Sequence, residues 1–154
     1  TEPITVTTEE GKDQYLGGEA VDIAGNRATI YVTLNIDKTP PTVNINANPN
    51  TLWPPNHKMV DVAIGGEAID TLSGIAQTTF NVEDEYGTVE PAVTDFNTTI
   101  QLEAWRNGDD LDGRVYIISV IAKDKADNQS ANSTTVICPH DQRDKKGKSE
   151  ETKR

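Results

Sequence analysis

Aspartates close several apolar runs of this chain, and these are the residues best placed for chemistry. Asp37 follows "ATIYVTLNI" (28–36), Asp70 follows "MVDVAIGGEAI" (59–69) and Asp124 follows "RVYIISVIAK" (114–123). Carboxylates gathered in loops suit hard cations such as calcium, which takes six to eight oxygens at about 2.3–2.6 Å. No closed ligand motif of the EF-hand kind is present, and the same aspartates can cap turns by accepting backbone amides. The two histidines, His57 and His140, form with Asp112 and Asp141 a weaker transition-metal set, because their spacing matches no compact zinc pattern. Trp53 and Trp105 are the residues for a carbohydrate platform, although the chain has only two Trp, four Tyr and two Phe, and Tyr116 and Phe80 are needed inside. "DDLD" (109–112) clusters carboxylates as acid–base machinery does, but reads as an exposed acidic turn. A Gly-x-Ser-x-Gly elbow, a His-Glu-x-x-His helix and a phosphate loop are all missing, so the chain reads as non-catalytic.

The elements that must position these residues are strands. In 28–37, Ile30, Val32, Leu34 and Ile36 alternate with Tyr31, Thr33 and Asn35. In 59–70, Val60, Val62, Ile64, Gly66 and Ala68 share a face, and in 114–124 Tyr116, Ile118, Val120 and Ala122 do. A period of two predicts half-buried antiparallel strands. Further candidates are 42–48, 76–83, 88–94, 98–105 and 129–138, about seven strands between 42 and 138 and the number of an immunoglobulin-like Greek-key sandwich. "IDKTPPTV" (36–43) carries two prolines that stop pairing and marks a boundary.

An internal repeat refines this organisation. "AVDIAGN" (20–26) and "AKDKADN" (122–128) share Ala-x-Asp-x-Ala-x-Asn, 102 residues apart. Each reads as the turn between the last two strands of a sandwich. The expected domains are therefore 1–37, the end of a preceding domain; 38–41, a Pro-rich linker; 42–140, a sandwich; and 141–154, a disordered polar tail. The offset places Ile30, Val32, Leu34 and Ile36 on Asn132, Thr134, Val136 and Cys138, which makes Cys138 a small buried hydrophobe. About three strands in 1–37 cannot bury a core alone. Either they pack on the second domain, or they are disordered, or another chain completes them, or they are what a simple truncation leaves of a larger protein.

The net charge of −11 argues against nucleic acid, because an acidic body repels phosphate. No apolar run approaches the ~20 residues of a membrane helix. One cysteine excludes an internal disulfide. No signal peptide is visible, and Thr1 suggests a mature or excised piece of a longer chain.

The turn Ala-x-Asp-x-Ala-Gly-Asn, its closing strand and "IDKTPPTV" resemble the tandem immunoglobulin-like repeats of large bacterial and archaeal surface proteins. "AIDTLSGI" (68–75) and "LDGRVYIISVIAKDKADN" (111–128) are similar to their turn after the second strand and their Asp-Gly-x-x-Tyr strand. "LWPPNHKMV" (52–60) with "CPHDQ" (138–142) resembles a subset found in secreted microbial proteins. Two positions depart: Asp127 stands where the turn usually has Gly, and Gln14 aligns with Tyr116. The resemblance implies that Asp37, Asp70 and Asp124 meet at the end where the chain enters the sandwich and hold calcium there. It places Trp53, Pro54, Pro55, His57 and His140 in a structural loop at the other end, with Trp53 as a plug and the histidines bonded to loop backbone. The expectation is an adhesive or spacer module, secreted or on a cell surface, whose partners are neighbouring immunoglobulin-like domains, with a surface glycan or protein as a further candidate. The alternatives are a carbohydrate-binding accessory module of a secreted enzyme and a filament subunit assembled by strand complementation.

Overall fold

A computed structural model describes residues 8–87 and 92–141, and these form strands, turns and loops without a helix. The strands are β1 (Gly11–Val21), β2 (Arg27–Ile36), β3 (Thr42–Asn48), β4 (Met59–Ile69), β5 (Ile75–Asp84), β6 (Thr98–Glu103), β7 (Arg114–Asp124) and β8 (Gln129–Cys138). They make three sheets, ordered β1-β2, β3-β4-β6 and β5-β7-β8. Six strands, not seven, lie between 42 and 138 among the described residues. Of the 88–94 candidate, 88–91 fall outside those residues and 92–94 form no strand. The expected tail likewise lies outside them from 142 on. The Pro-rich 38–41 carries no strand, as a proline pair requires.

The chain divides into two compact units. One is built from the chain up to Asn44, Glu67–Thr79 and Val120–Asn132; the other from Ile45–Gly66, Phe80–Ser119 and the chain from Ser133 on. The second unit holds the apolar core. Leu52, Val62, Ile64, Leu102, Tyr116, Ile118, Val136 and Cys138 are fully buried there. The period of two explains why: alternate residues of β4 and β7 point inward, and β4 pairs with β6 in the register Val62↔Ile100. The chain after β3 crosses to β8 by a parallel bridge, with Leu52 N–H donating to Ile137 O at 2.8 Å. Gly113 has φ +92°, and a Cβ there would lie 2.6 Å from the Cys138 carbonyl oxygen, so glycine is needed at this approach. Burial pushes the Cys138 thiol pKa up, consistent with an inert packing residue.

The first unit contains the β1–β2 hairpin, in the register Leu16↔Val32 and Gly18↔Ile30. The expectation of a half-buried β2 holds at Leu34 and Ile36 and fails at Ile30, 69% exposed, and Val32, 44% exposed. Only two strands, not three, precede the linker among the described residues. The repeated turns match bond for bond. Asp22 N–H donates to Asn26 O at 2.9 Å and Asp124 N–H to Asn128 O at 3.0 Å. Asp22 Oδ1 accepts the Asn26 amide at 2.8 Å and Asp124 Oδ1 that of Asn128 at 2.9 Å. Asn26 Nδ2 and Asn128 Nδ2 donate back to Asp22 and Asp124 Oδ2 at 2.7 and 2.8 Å. Gly25 and Asp127 both take the left-handed conformation, φ 87° and 72°, so the aspartate that departs from the pattern preserves the turn.

Three side chains then fasten the linker. Asn128 Nδ2 donates to Asp37 O at 3.3 Å, Ser130 Oγ to Pro41 O, and Asn132 Nδ2 to Val43 O at 2.9 Å.

Candidate metal centre

The first unit brings Asp37, Asp70 and Asp124 together: one carboxylate oxygen of each lies within 4.8 Å of the other two. Asp37 enters just past β2, Asp70 just past β4, and Asp124 is the last residue of β7. Asp124 is fully buried and the other two half-buried. Among the described residues this is the one group whose metal-ligating atoms cluster. His57, His140, Asp112 and Asp141 form no such cluster.

Local turns hold each aspartate. Asp70 Oδ1 accepts the Gly74 amide at 2.5 Å, across a turn that Gly74 completes with φ +80°. Asp37 Oδ1 accepts the Thr39 amide at 3.0 Å and its Oδ2 the Ser73 amide at 3.0 Å. Hydrogen bonding from Ser73 holds the Asp37 carboxyl below its ordinary pKa. Asp124 Oδ1 also accepts the Ala126 amide at 2.8 Å. Turn capping and convergence therefore coexist. Backbone donors fix the carboxylates in position, and none of the three is ion-paired with a lysine or arginine among the described residues. Beside them, a cavity of about 260 Å³ is lined by Lys12, Asn35, Asp37, Ser73 and Lys125. Lys12 Nζ is engaged with Thr71 O at 2.9 Å.

No protein-family model, curated protein or solved structure matches the chain. The donor chemistry of the centre is therefore read from its own atoms. It offers oxygen and no nitrogen or sulfur, the donor set that hard cations prefer. Two oxygens on opposite sides of a calcium ion stand roughly 4.6–5.2 Å apart, so a set confined to 4.8 Å fits that ion.

The second unit holds the other predicted residues, and several differ from expectation. Trp53 is 41% exposed and plugs nothing; its neighbour Leu52 is the buried residue. Its peptide bond to Pro54 is cis, within the loop that continues through Pro55. The His57 ring bonds a carboxylate rather than loop backbone: Nδ1 lies 2.9 Å from Glu103 Oε1, while the His57 amide donates to Ala104 O at 3.0 Å. His140 takes part through its carbonyl, which accepts from Arg106 at 3.3 Å. Trp105 is half-buried, stacked on His57 at 5.5 Å and edge-on to Tyr86 at 5.8 Å, with the Arg114 guanidinium 5.6 Å from its centre. The "DDLD" turn is only partly the exposed loop expected: half-buried Asp110 accepts from the Gly113 amide at 2.7 Å and from the Tyr86 hydroxyl.

Sequence reasoning missed a buried ion pair. Arg114 Nε and Nη2 lie 2.7 and 2.5 Å from Asp84 Oδ2, and the guanidinium sits 4.4 Å from the Tyr116 ring centre. A signal was available. Arg114 has the same parity as Tyr116 and Ile118, so the inward face of β7 begins with a charge that must find a partner.

Proposed function

We propose that this chain is a non-catalytic, immunoglobulin-like structural or adhesive module of a secreted or cell-surface protein, stiffened by calcium at the three-aspartate junction. The observation that carries the reading is the meeting of Asp37, Asp70 and Asp124 from three separate segments, with no ion-paired lysine or arginine among the described residues. Like charges placed this close repel, and a divalent cation would convert that repulsion into a cross-link between the linker and two turns. Asp37 stands directly before the Pro-rich linker, so a bound ion would fix the path of the chain entering β3. The strand order supports the sandwich class: β3-β4-β6 and β5-β7-β8 have the order of the first, second and fifth, and third, sixth and seventh strands of an immunoglobulin domain, with no counterpart of the fourth among the described residues. On this reading its partners are neighbouring domains of the same kind.

Thermal unfolding with calcium and with a chelator tests the proposal. A ligand bound only by the folded state raises the melting temperature by mass action, by the equivalent of about 2.7 kcal/mol at a hundredfold excess over Kd. Identical melting in both solutions would reduce the aspartates to turn caps.

A further inference from the structure

We propose that Asn97 is an attachment site for an N-linked glycan, and that the fold closes a second sequon of the same type at Asn128. Such a site presupposes the secreted or cell-surface chain proposed above. An N-linked glycan needs Asn-x-Ser or Asn-x-Thr, with x other than proline, on an exported chain. The sequence contains three such triplets: Asn97-Thr98-Thr99, Asn128-Gln129-Ser130 and Asn132-Ser133-Thr134. Triplets this short arise often in a chain rich in Asn and Thr, so the motif alone separates none of them. Their hydrogen bonds do.

The chemistry of transfer sets the criterion. The Asn Nδ2 attacks the anomeric carbon of an oligosaccharide carried on a polyprenyl pyrophosphate. The N–C1 bond forms, the C1–O bond breaks, the pyrophosphate leaves with that electron pair, and Nδ2 gives up one proton. An Asn amide starts with two N–H donors and ends the reaction with one. An acceptor Asn must therefore be able to do without a hydrogen.

Asn128 has none to spare. Its Nδ2 donates to Asp37 O at 3.3 Å and to Asp124 Oδ2 at 2.8 Å, which uses both hydrogens. A sugar would displace one of these bonds. Asp124 is fully buried, so an oxygen left there without its donor carries its full desolvation cost. The third residue of the triplet is engaged as well, because Ser130 Oγ donates to Pro41 O. Asn132 is intermediate: its Nδ2 donates to Val43 O at 2.9 Å, which commits one hydrogen.

Asn97 is the opposite case. It is exposed, and its side chain makes no hydrogen bond among the described residues. Its backbone is nevertheless fixed. The Asn97 amide donates to Ile64 O at 2.7 Å, and φ is +59°, a left-handed conformation that asparagine tolerates. Thr99 is also exposed, pairs with Ala63, and makes no side-chain hydrogen bond among the described residues. Asn97 stands immediately before β6, an end strand of β3-β4-β6. A bulky, hydrated sugar there would flank the outer edge of the sheet and oppose edge-to-edge association.

Expression of the 154-residue chain behind a secretory leader, in a host that N-glycosylates its exported proteins, provides the test. The leader delivers the chain to the transferase whatever its natural location, so a bare Asn97 cannot be blamed on a wrong reading of localisation. That reading would fail separately, if the chain in its natural source were found inside the cell. Transfer can precede folding, so occupancy is measured by peptide mass spectrometry on the folded monomer, after unfolded chains are removed. Asn97 should be the main occupied site, and Asn128 should be bare. Thr99→Val destroys the triplet with a residue that suits a strand. It should abolish the Asn97 glycan while the chain is still secreted in folded form. A bare Asn97 in the parent chain would overturn the proposal. So would a glycan on Asn128 in folded chains that melt at the temperature of the unmodified form, because both its hydrogens would then be dispensable.

Discussion

Asp84 and Asp124 are both buried aspartates at the ends of strands, and their surroundings are opposite. Asp84 meets a guanidinium: Arg114 lies 2.5 Å away, itself held against the faces of Tyr86, Trp105 and Tyr116. Asp124 meets two more carboxylates and a set of amide donors. A buried charge is costly unless paired. The second unit supplies its counter-charge from its own sequence, and in the first unit amides share the load. The comparison teaches that the chain can build a paired site, and that among the described residues no lysine or arginine is ion-paired with the aspartate junction.

The largest expected effect comes from the paired site. Arg114→Met should cost about 3–5 kcal/mol in urea unfolding, because it strands the Asp84 charge in the core. Replacing both partners, with Asp84→Leu added, should recover most of that loss. A double variant as unstable as the single one would break the comparison. The next effect belongs to the aspartate junction. Asp124→Ala should remove most of the calcium-dependent rise in melting temperature, the equivalent of about 2.7 kcal/mol at a hundredfold excess of ion over Kd, whereas Arg114→Met should keep it. A calcium response unchanged in Asp124→Ala would separate the junction from the ion. Asp110 is an intermediate case, bonded to a neutral phenol. The Tyr86 hydroxyl holds the Asp110 carboxyl below its ordinary pKa of 3.8. A depressed carboxylate stabilises the fold above that value and loses the contribution as pH falls through the lower folded one. Tyr86→Phe should therefore cost about 1 kcal/mol at neutral pH, with the gap to the parent chain closing in acid titration below pH 3.8. A gap constant down to the lowest pH would assign the loss to packing.

Much of this arrangement was legible in the sequence. Alternation over 59–69 and 114–123, followed in each case by aspartate, specifies both face and strand end, and the resemblance to immunoglobulin-like repeats implies that Asp70 and Asp124 share one end of the sandwich. The repeated Ala-x-Asp-x-Ala-x-Asn named a turn that forms twice with the same bonds. Period two held at Leu34 and Ile36 but failed at Ile30 and Val32, because alternation reports which face prefers burial and not whether anything covers it. It could not distinguish Leu52 from Trp53 in an irregular loop, where the larger residue was the natural choice for a plug and the smaller one took the place. The inward parity of Arg114 was readable. Its partner Asp84 was not, since the pairing spans 30 residues and two strands.

Asn128, Ser130 and Asn132 recur at every second residue, and their side chains hold carbonyls at positions 37, 41 and 43. In mechanical terms this is a row of stitches across a seam. Tension drawn along the linker would load the three attachments together, while a force lifting the linker away would open them one after another. The segment is therefore expected to resist swivelling and lengthwise pull more strongly than peeling, which gives the joint a preferred direction of failure.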